Sequence, residues 1–407
     1  MSLEMTTSNT LAHNATRYLT DPVFRRDPWD FFAKVRAESP VIQSDAGIWL
    51  ITGYDAASDA LRNDVLLSRR DAGLKHLVVD DPQARLIITS KMLYNDRPEH
   101  TRLRRLVSQA FTPRGIAKWR DRVAEISHKT LDQILPQGRM DVVSDYAYPV
   151  VAAIITELLG IRQGDLPQFL EWSEAITEPP PGGDPTSFRE SANKATVEIT
   201  AYVRERIAER RDQPADDLLT KLIRAEEPED GTLAEHELVA MTIELIHAGF
   251  ETTSNFVCNG LHVLLQHPDQ LAELTGHLDL LPDTINELLR YESPAPMPLP
   301  RVAVDDVEIA GTTIRRGDTV VVALAAANRD PAHFSDPERF DIHRTNNNLI
   351  SFGFGAHHCL GHALARLEST EIFTALLSRI PNIESAGEAQ WSDHQFFRTL
   401  DTLPVRW

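Results

Sequence analysis

One short segment limits the possible folds of this chain more than any other. Residues 352–366, FGFGAHHCLGHALAR, place a cysteine in a glycine-rich stretch just before a helical pattern. Gly353 and Gly355 permit backbone angles that other residues resist, so a tight loop can form there. The pattern places Cys359 in the first turn of the helix that follows. Free amides and the positive end of the helix dipole would stabilise a thiolate at that position.

Two residues near this cysteine, Gly361 and Phe352, indicate the surroundings of its sulfur. Gly361 costs helix stability of about 0.5–1 kcal/mol relative to alanine, which favours close approach by something flat or bulky. Phe352 would shield the sulfur from water. The segment therefore predicts an anionic sulfur in an apolar cup, with clearance for a large planar group. A haem iron bound by a thiolate fits these requirements.

Three other interpretations of Cys359 stay open at this point. A buried core cysteine does not explain the glycines or the polar neighbours. A nucleophile with a nearby histidine lacks a flanking signature. A zinc site with His357 or His362 lacks a second Cys/His pair at suitable spacing. The local chemistry ranks haem first.

Composition narrows the class of protein. The chain has 407 residues, 42% of them hydrophobic and 25% charged, which is typical of a globular protein with a large core. A net charge of -19 argues against nucleic acid as a partner. Two cysteines do not make a disulfide framework and indicate a reducing compartment. The N-terminal residues lack a basic region followed by an apolar core, so we expect a cytoplasmic protein.

The periodicities predict many helices and a few short strands. A hairpin is predicted over 41–51 and a small sheet over 302–331. The apolar run 238–265 contains charged and polar residues, so it predicts a long buried helix, opened by a capping box at 232–235, and no membrane span. Residues 177–187 predict a mobile loop. We expect a flexible segment over 1–19 and one domain over 20–407.

The middle of the long helix carries the sequence AGFETT, residues 248–253. Glu251 is expensive to bury without a partner or water. Gly249 weakens a helix interior, and Thr252 can hydrogen-bond back to the carbonyl of Ala248. Together they favour a locally opened turn, a π-bulge or a kink. A long helix with two tolerated polar residues explains the pattern equally well.

The cysteine segment resembles the haem-binding loop of cytochrome P450s, and every position of that motif is matched. The resemblance implies that Cys359 is the axial thiolate, whose electron donation favours O–O cleavage. It assigns the second cysteine, Cys258, no function, and a core role is expected. Haem contacts would come from the loop and from the long helix: Phe352, Gly353, His357, Gly361 and Ala248.

Three further matches extend the resemblance over nearly the whole chain. AGFETT is similar to the family's acid–alcohol pair, in which Glu251 would relay protons and Thr252 would hold dioxygen and its protons. The propionates of the haem would contact His100, Arg104 and Arg301, together with His357. A Glu-Arg-Arg network that supports the cysteine loop would consist of Glu287, Arg290 and Arg339.

The resemblance implies a mainly α (α+β) P450 fold with a small β-rich region and one haem b. The activity would be monooxygenation of a hydrophobic small molecule with O2, by hydroxylation or epoxidation. A bacterial secondary metabolite such as a polyketide, terpenoid or peptide intermediate is expected as substrate. A silent recruitment module and a peroxide-driven peroxygenase are the alternatives; the intact motifs argue against the first and Thr252 against the second.

Partners and pocket residues follow from the same resemblance. Electrons would come from a ferredoxin and its reductase, docked on a basic patch near Arg102 and Arg105; neither nucleic acid nor a membrane is expected as partner. Glu244 or His247 would give the substrate cavity an unusual polar contact. The candidate pocket residues are Glu244, Leu245, Ala248, Met297, Leu299 and Phe396, with segment 71–92.

Overall fold

A computed structural model describes residues 2–67, 81–177, 185–227, 231–345, 348–394 and 396–407. Most of them are helical, as predicted. Residues 71–80 of the expected pocket segment and 178–184 of the expected loop lie outside the described residues. The chain forms two compact units, described separately below, so the single domain over 20–407 stays a prediction.

The first unit comprises Met1–Ser68, Ser127–Ala147 and Thr252–Trp407. Its central sheet has five strands in the order Val41–Gln43, Trp49–Ile51, Thr319–Val322, Arg301–Ala303 and Leu66–Leu67. The predicted hairpin is confirmed, with Ile42 opposite Leu50. The further strands are Arg139–Asp141, Val307–Ile309, Thr312–Ile314, Glu384–Ser385, Gln390–Trp391, Leu400–Thr402 and Pro404–Arg406.

The rest of the first unit is mainly helical. Its helices are Ser2–Thr20, Pro22–Arg25, Trp29–Glu38, Tyr54–Arg62, Pro268–Gly276, Leu281–Tyr291, Leu324–Ala327 and His362–Arg379, with a π-helix over Val142–Ala147. The helix Arg120–Ile134 and the long helix Glu235–Gln266 each have residues in both units.

The N-terminal segment, expected to be flexible over residues 1–19, is helical over Ser2–Thr20. Leu11, Ala15 and Tyr18 follow one another at helical spacing and are buried. The Tyr18 ring meets the Phe32 ring edge-on, with 4.8 Å between centroids. This apolar stripe explains why the segment folds although its surrounding sequence is polar.

The second unit comprises Arg69–Ile126 and Tyr148–Glu251. Its helices are Pro82–Thr89, Glu99–Ser108, Pro113–Ala117, Tyr148–Leu159, Leu166–Thr177, Pro185–Asp212 and Leu218–Ile223, with a short hairpin of Glu226–Glu227 and Gly231–Thr232. Among the described residues, one helical segment, Val142–Leu159, is apolar and long enough to cross a membrane by length and composition, and 67% of it is buried in the fold.

The long helix differs from its prediction in two respects. Its start is capped by Glu237, whose carboxylate accepts the amide of Ala234, instead of by the predicted box at 232–235. Its centre is regular α-helix through residues 248–253, so the predicted opened turn is wrong. Gly249 has a packing reason instead, because a Cβ there would lie 2.6 Å from Cδ1 of Ile155.

Candidate functional site

The cysteine loop, residues 351–361, has the tight backbone that its glycines predict. Gly353 and Gly355 have φ angles of 68° and 71°, in the left-handed region that favours glycine. The amide of Cys359 donates to the carbonyl of Phe352 over 2.8 Å. The following helix begins at His362, so Cys359 precedes its first turn, and that detail of the prediction is wrong.

This loop carries the apolar side chains of Phe352, Phe354 and Leu360 and is incompletely covered. No residue from Ser351 to Ala363 is buried, although Ile350 and Leu364 on either side are. A Cβ added to Gly361 would meet no atom within 4 Å. An apolar loop with open space beside its cysteine fits a large planar group, as the sequence predicts for haem. His357 ends the short 3₁₀ turn Gly355–His357 of this loop and is partly exposed.

A buried ion pair lies behind the cysteine loop. Arg290 donates from Nε to Oε2 of Glu287 over 2.7 Å and from Nη2 to Oε1 over 2.8 Å. Both side chains are almost fully excluded from water. Arg290 also donates to the carbonyls of Asn328 and Pro337, over 3.0 and 2.8 Å. This bidentate geometry and the additional bonds compensate the desolvation of the two charges.

The third arginine of this network is Arg344, and the prediction of Arg339 is wrong. The Arg344 Nε atom lies 3.0 Å from Oε2 of Glu287, an ion pair at an angle unsuited to a hydrogen bond. The Arg339 side chain is 70% exposed and 3.9 Å from Asp341. Arg339 contributes its backbone carbonyl, which accepts from both Arg290 and Arg344.

Asn328 connects the ion pair to the cysteine loop. Its Oδ1 accepts the amide of Ile350 over 2.8 Å, and its Nδ2 donates to Oγ of Ser351 over 2.7 Å. Its carbonyl accepts from Arg290. Sequence reasoning assigned Asn328 no role. The carboxamide holds the first residues of the loop in place.

Two further arginines lie near the loop in the first unit. Arg301, predicted to contact a propionate, is buried and donates to the carbonyl of Leu66 over 3.2 Å. Arg366 stacks over the Phe352 ring at 4.4 Å and donates to Asn286. Burial lowers the pKa of Arg366, and the nearby charge of Cys359 opposes that shift. Sequence reasoning missed Arg366.

The part of the long helix in the first unit begins at Thr252, which is partly exposed. The next residue, Thr253, is buried and hydrogen-bonds to the carboxyl of Glu368. Burial raises the pKa of Glu368 to about 8, and the bond from Thr253 opposes the rise. Glu368 comes nine positions after the cysteine in the sequence, and sequence reasoning did not identify it.

The second unit holds the remaining predicted haem contacts. His100 and Arg104 lie one turn apart on the helix Glu99–Ser108, with His100 buried and Arg104 partly exposed. Ala248 is exposed on the long helix, and Glu251 is partly exposed. Phe250, between them, is buried and meets Tyr148 edge-on at 5.4 Å.

A cluster of ionisable groups in the second unit includes Glu244 and Lys91. Glu244 Oε1 accepts the amide of Leu93 over 3.1 Å, and its carboxylate also accepts the amide of Met92. Burial raises the pKa of Glu244 to about 7, against the charge of Lys91. Lys91 is buried and its pKa is lowered. Burial lowers the pKa of His247, which is therefore neutral at pH 7.

The other predicted pocket residues have mixed environments. Met297 packs against the buried cluster around Phe31 and Phe32, as a core residue does. Leu245 and Leu299 are partly exposed, and Phe396 is 47% exposed. Their contact with substrate stays a prediction. Arg102 forms an ion pair with Glu237, which reduces the positive charge predicted there.

Comparison with known proteins identifies the family. The family model described as Cytochrome P450 matches residues 45–381. The chain is a cytochrome P450. This P450 is 38% identical to the cytochrome P450 monooxygenase PikC of Streptomyces venezuelae, with 94% of this chain and 92% of PikC aligned. It is 37% identical to the polyketide biosynthesis cytochrome P450 PksS of Bacillus subtilis, over 94% and 96% of the two chains.

A solved structure supports the fold directly. P450BioI, in complex with an acyl carrier protein ligated to hexadec-9Z-enoic acid, superimposes on this P450 with a TM-score of 0.87 at 34% identity. The alignment covers 95% of this chain and 100% of that one. The predicted P450 fold, mainly helical with a small β-rich region, is therefore confirmed. This P450 is a monooxygenase that acts on a hydrophobic substrate with O2 and a haem cofactor.

Proposed function

We propose that this P450 binds haem b through Cys359 and inserts one oxygen atom into a hydrophobic secondary metabolite. The observation that carries the proposal is the cysteine loop. It presents a cysteine among phenylalanines, glycines and histidines that are all incompletely buried, two positions before a glycine with open space around it. The core interpretation does not explain the exposure of this loop, and the nucleophile interpretation lacks a flanking signature.

When bound, a haem with a thiolate ligand supplies the activation of dioxygen. The residues that would hold it in the first unit are Cys359, Phe352, Gly353, Gly361, His357 and Arg301. Those in the second unit are His100, Arg104 and Ala248. The positive side chains would pair with the propionates, because partly buried carboxylates need cationic or hydrogen-bonding partners.

Proton delivery falls to Glu251 and Thr252 in this proposal. Oxygen activation consumes two protons, and free access of water to the site makes it less efficient. A relay of side chains therefore delivers the protons better than an open water channel does. Glu251 is partly exposed at the end of the second unit's helix segment, and in this proposal its carboxyl would receive the proton from solvent. Thr252 would pass that proton on and hold the oxygen in place.

The substrate class is proposed from the relatives. PksS carries polyketide biosynthesis in its name, and we propose a polyketide or a similar natural-product intermediate for this P450. Hydroxylation of a C–H bond or epoxidation of an alkene would be the outcome. The relative P450BioI has a structure in complex with an acyl carrier protein ligated to hexadec-9Z-enoic acid, so a substrate bound to a carrier is a second form to test.

We further propose a cytoplasmic enzyme supplied with electrons by a ferredoxin and a ferredoxin reductase. Arg105 is exposed and Arg102 is partly exposed. Arg105 is therefore the more accessible of the two for docking an acidic partner.

The reduced carbon-monoxide difference spectrum tests the axial ligand. We expect the wild-type chain, reconstituted with haem, to show the red-shifted Soret band typical of thiolate ligation. Cys359→Ala should abolish this band, whereas Cys258→Ala, which removes the other thiol, should retain it. A Cys359→Ala protein with an unchanged band and unchanged turnover would overturn the proposal.

A further inference from the structure

Two arginines stack on phenylalanines of the cysteine loop. The guanidinium of Arg366 lies over the Phe352 ring, 4.4 Å from its centroid, and that of Arg62 lies over the Phe354 ring at 4.2 Å. A cation over an aromatic face is attracted by the quadrupole of the ring. The two contacts differ in depth, because Arg366 is half-buried whereas Arg62 is exposed. Salt and water therefore screen the charge of Arg62 much more than that of Arg366.

Neutral groups hold Arg366 near the start of the cysteine helix. Its Nε donates to Oδ1 of Asn286 over 2.9 Å, and its Nη1 donates to the carbonyl of His362 over 3.3 Å. Asn286 is itself fixed, since its Nδ2 donates to the carbonyl of Pro282 over 3.1 Å. A guanidinium stays protonated in proteins. The positive charge of Arg366 is thus held in place by acceptors that do not neutralise it.

This fixed charge lies close to the cysteine predicted to bind the haem iron. Phe352, on which Arg366 stacks, accepts the amide of Cys359 through its carbonyl over 2.8 Å. Burial lowers the pKa of Arg366, and the charge of Cys359 opposes that shift, so the two side chains attract each other. Groups around a metal ligand tune the metal that the ligand holds. A fixed cation favours the redox state with the more negative charge.

We propose that Arg366 sets the reduction potential of the haem by stabilising the ferrous state. This inference rests on the proposed function, since it assumes that Cys359 is the axial ligand. Ferric iron becomes ferrous when it accepts one electron from the proposed ferredoxin, and the site gains one negative charge. The guanidinium of Arg366 lowers the free energy of the ferrous state more than that of the ferric state. Transfer of this electron is therefore more favourable with Arg366 than without it.

A redox titration of the haem-loaded protein, followed by Soret absorbance, tests this inference. We expect Arg366→Gln to lower the ratio of ferrous to ferric protein at a fixed potential about tenfold, or about 59 mV for a one-electron couple. Arg366→Lys keeps the charge and should stay within about threefold of wild type. Arg62→Gln removes the exposed arginine of the matching contact and should stay within about twofold.

Asn286→Asp tests the same charge without removing the arginine. The aspartate has the shape of asparagine and still accepts from Nε of Arg366, but its negative charge offsets the guanidinium, so the ratio should fall as in Arg366→Gln. This variant keeps the inference testable if Arg366→Gln does not fold. An unchanged potential in Asn286→Asp would overturn the inference. Equal shifts in Arg366→Gln and Arg62→Gln, or in Arg366→Gln and Arg366→Lys, would do the same. Failure of the haem assignment would instead appear in the carbon-monoxide spectrum of the wild type.

Discussion

Glu368 shows how the fold changes the chemistry of one side chain. The residue is 3% exposed, and burial raises the pKa of its carboxyl to about 8. An unfolded chain exposes this carboxyl, which then ionises near its ordinary pKa of about 4.3. Between these two pKa values the folded state binds more protons than the unfolded state. The stability contributed by Glu368 is therefore lost as pH rises through this window.

The variant Glu368→Gln removes this titration. We expect the free energy of unfolding of this variant, minus that of wild type, to increase as pH rises. The increase should be roughly 1.4 kcal/mol for each pH unit between about 5 and 8. Urea unfolding at pH 5.5, 6.5 and 7.5 measures the difference. Glu388→Gln, at an exposed position, serves as control and should show no such trend. A pH-independent difference for Glu368→Gln would contradict a buried, protonated carboxyl.

Single residues also show where sequence reasoning stops. Cys359, Glu287 and Arg290 could be assigned from motifs, because their spacing within one loop or helix turn fixes their relation. Arg339 and Arg344 are both arginines in one irregular segment, and only the folded chain shows that Arg344 approaches Glu287. The Glu244 contact joins residues 151 positions apart, a distance over which no local pattern carries information.

At the scale of elements, the cysteine loop is shaped by close approach to the helix Tyr54–Arg62. A Cβ on Gly355 would lie 2.5 Å from the carbonyl oxygen of Leu61, at the end of that helix. The same carbonyl accepts from Arg301 over 3.4 Å. Gly355 therefore has two reasons to be glycine: its φ of 71° and the backbone opposite it. Gly47, in the hairpin, has a φ of 76° and no atom within 4 Å.

Alanine variants of Gly47 and Gly355 distinguish two costs: the strain of a left-handed backbone and the steric clash of a Cβ with a neighbouring backbone. Gly47→Ala should cost about 1 kcal/mol of stability, because only the left-handed backbone is strained. Gly355→Ala should cost clearly more and should also weaken haem retention, because the loop must move away from Leu61. Urea unfolding and haem release to apomyoglobin measure the two effects. Equal losses in both variants would show that the loop adapts without strain.

The long helix illustrates why element details were only partly predictable. Its existence and approximate ends followed from the apolar period and the breakers that flank it. The opened turn was inferred from Gly249 and the polar residues beside it, but Gly249 is explained by Ile155. A glycine in a helix has the same local signature whether it serves a bulge or close packing. Only tertiary structure distinguishes the two.

At the scale of the whole molecule, the P450 fold could be predicted from the sequence, whereas the N-terminal helix could not. The family motifs fixed the fold, since loop, network and helix occur at P450 spacing from one end of the chain to the other. The N-terminal helix was missed, because three buried residues in a polar segment give a weak periodic signal. Yet this helix joins the core of the first unit, where Tyr18 packs against Phe32 and the Asp45 amide donates to the Ala12 carbonyl over 3.3 Å.

Removal of this helix should therefore destabilise the whole first unit. Deletion of residues 1–20 exposes the apolar surface that Leu11, Ala15 and Tyr18 cover, and each large apolar side chain contributes about 1.5–3 kcal/mol. We expect thermal unfolding, followed by circular dichroism and Soret absorbance, to shift several degrees lower. Deletion of residues 1–9 keeps all three side chains and should shift it much less. Because the same unit carries Cys359, the Soret signal should fall together with the helical signal. If the longer deletion left both transitions unchanged, the helix would be an appendage that the unit does not need.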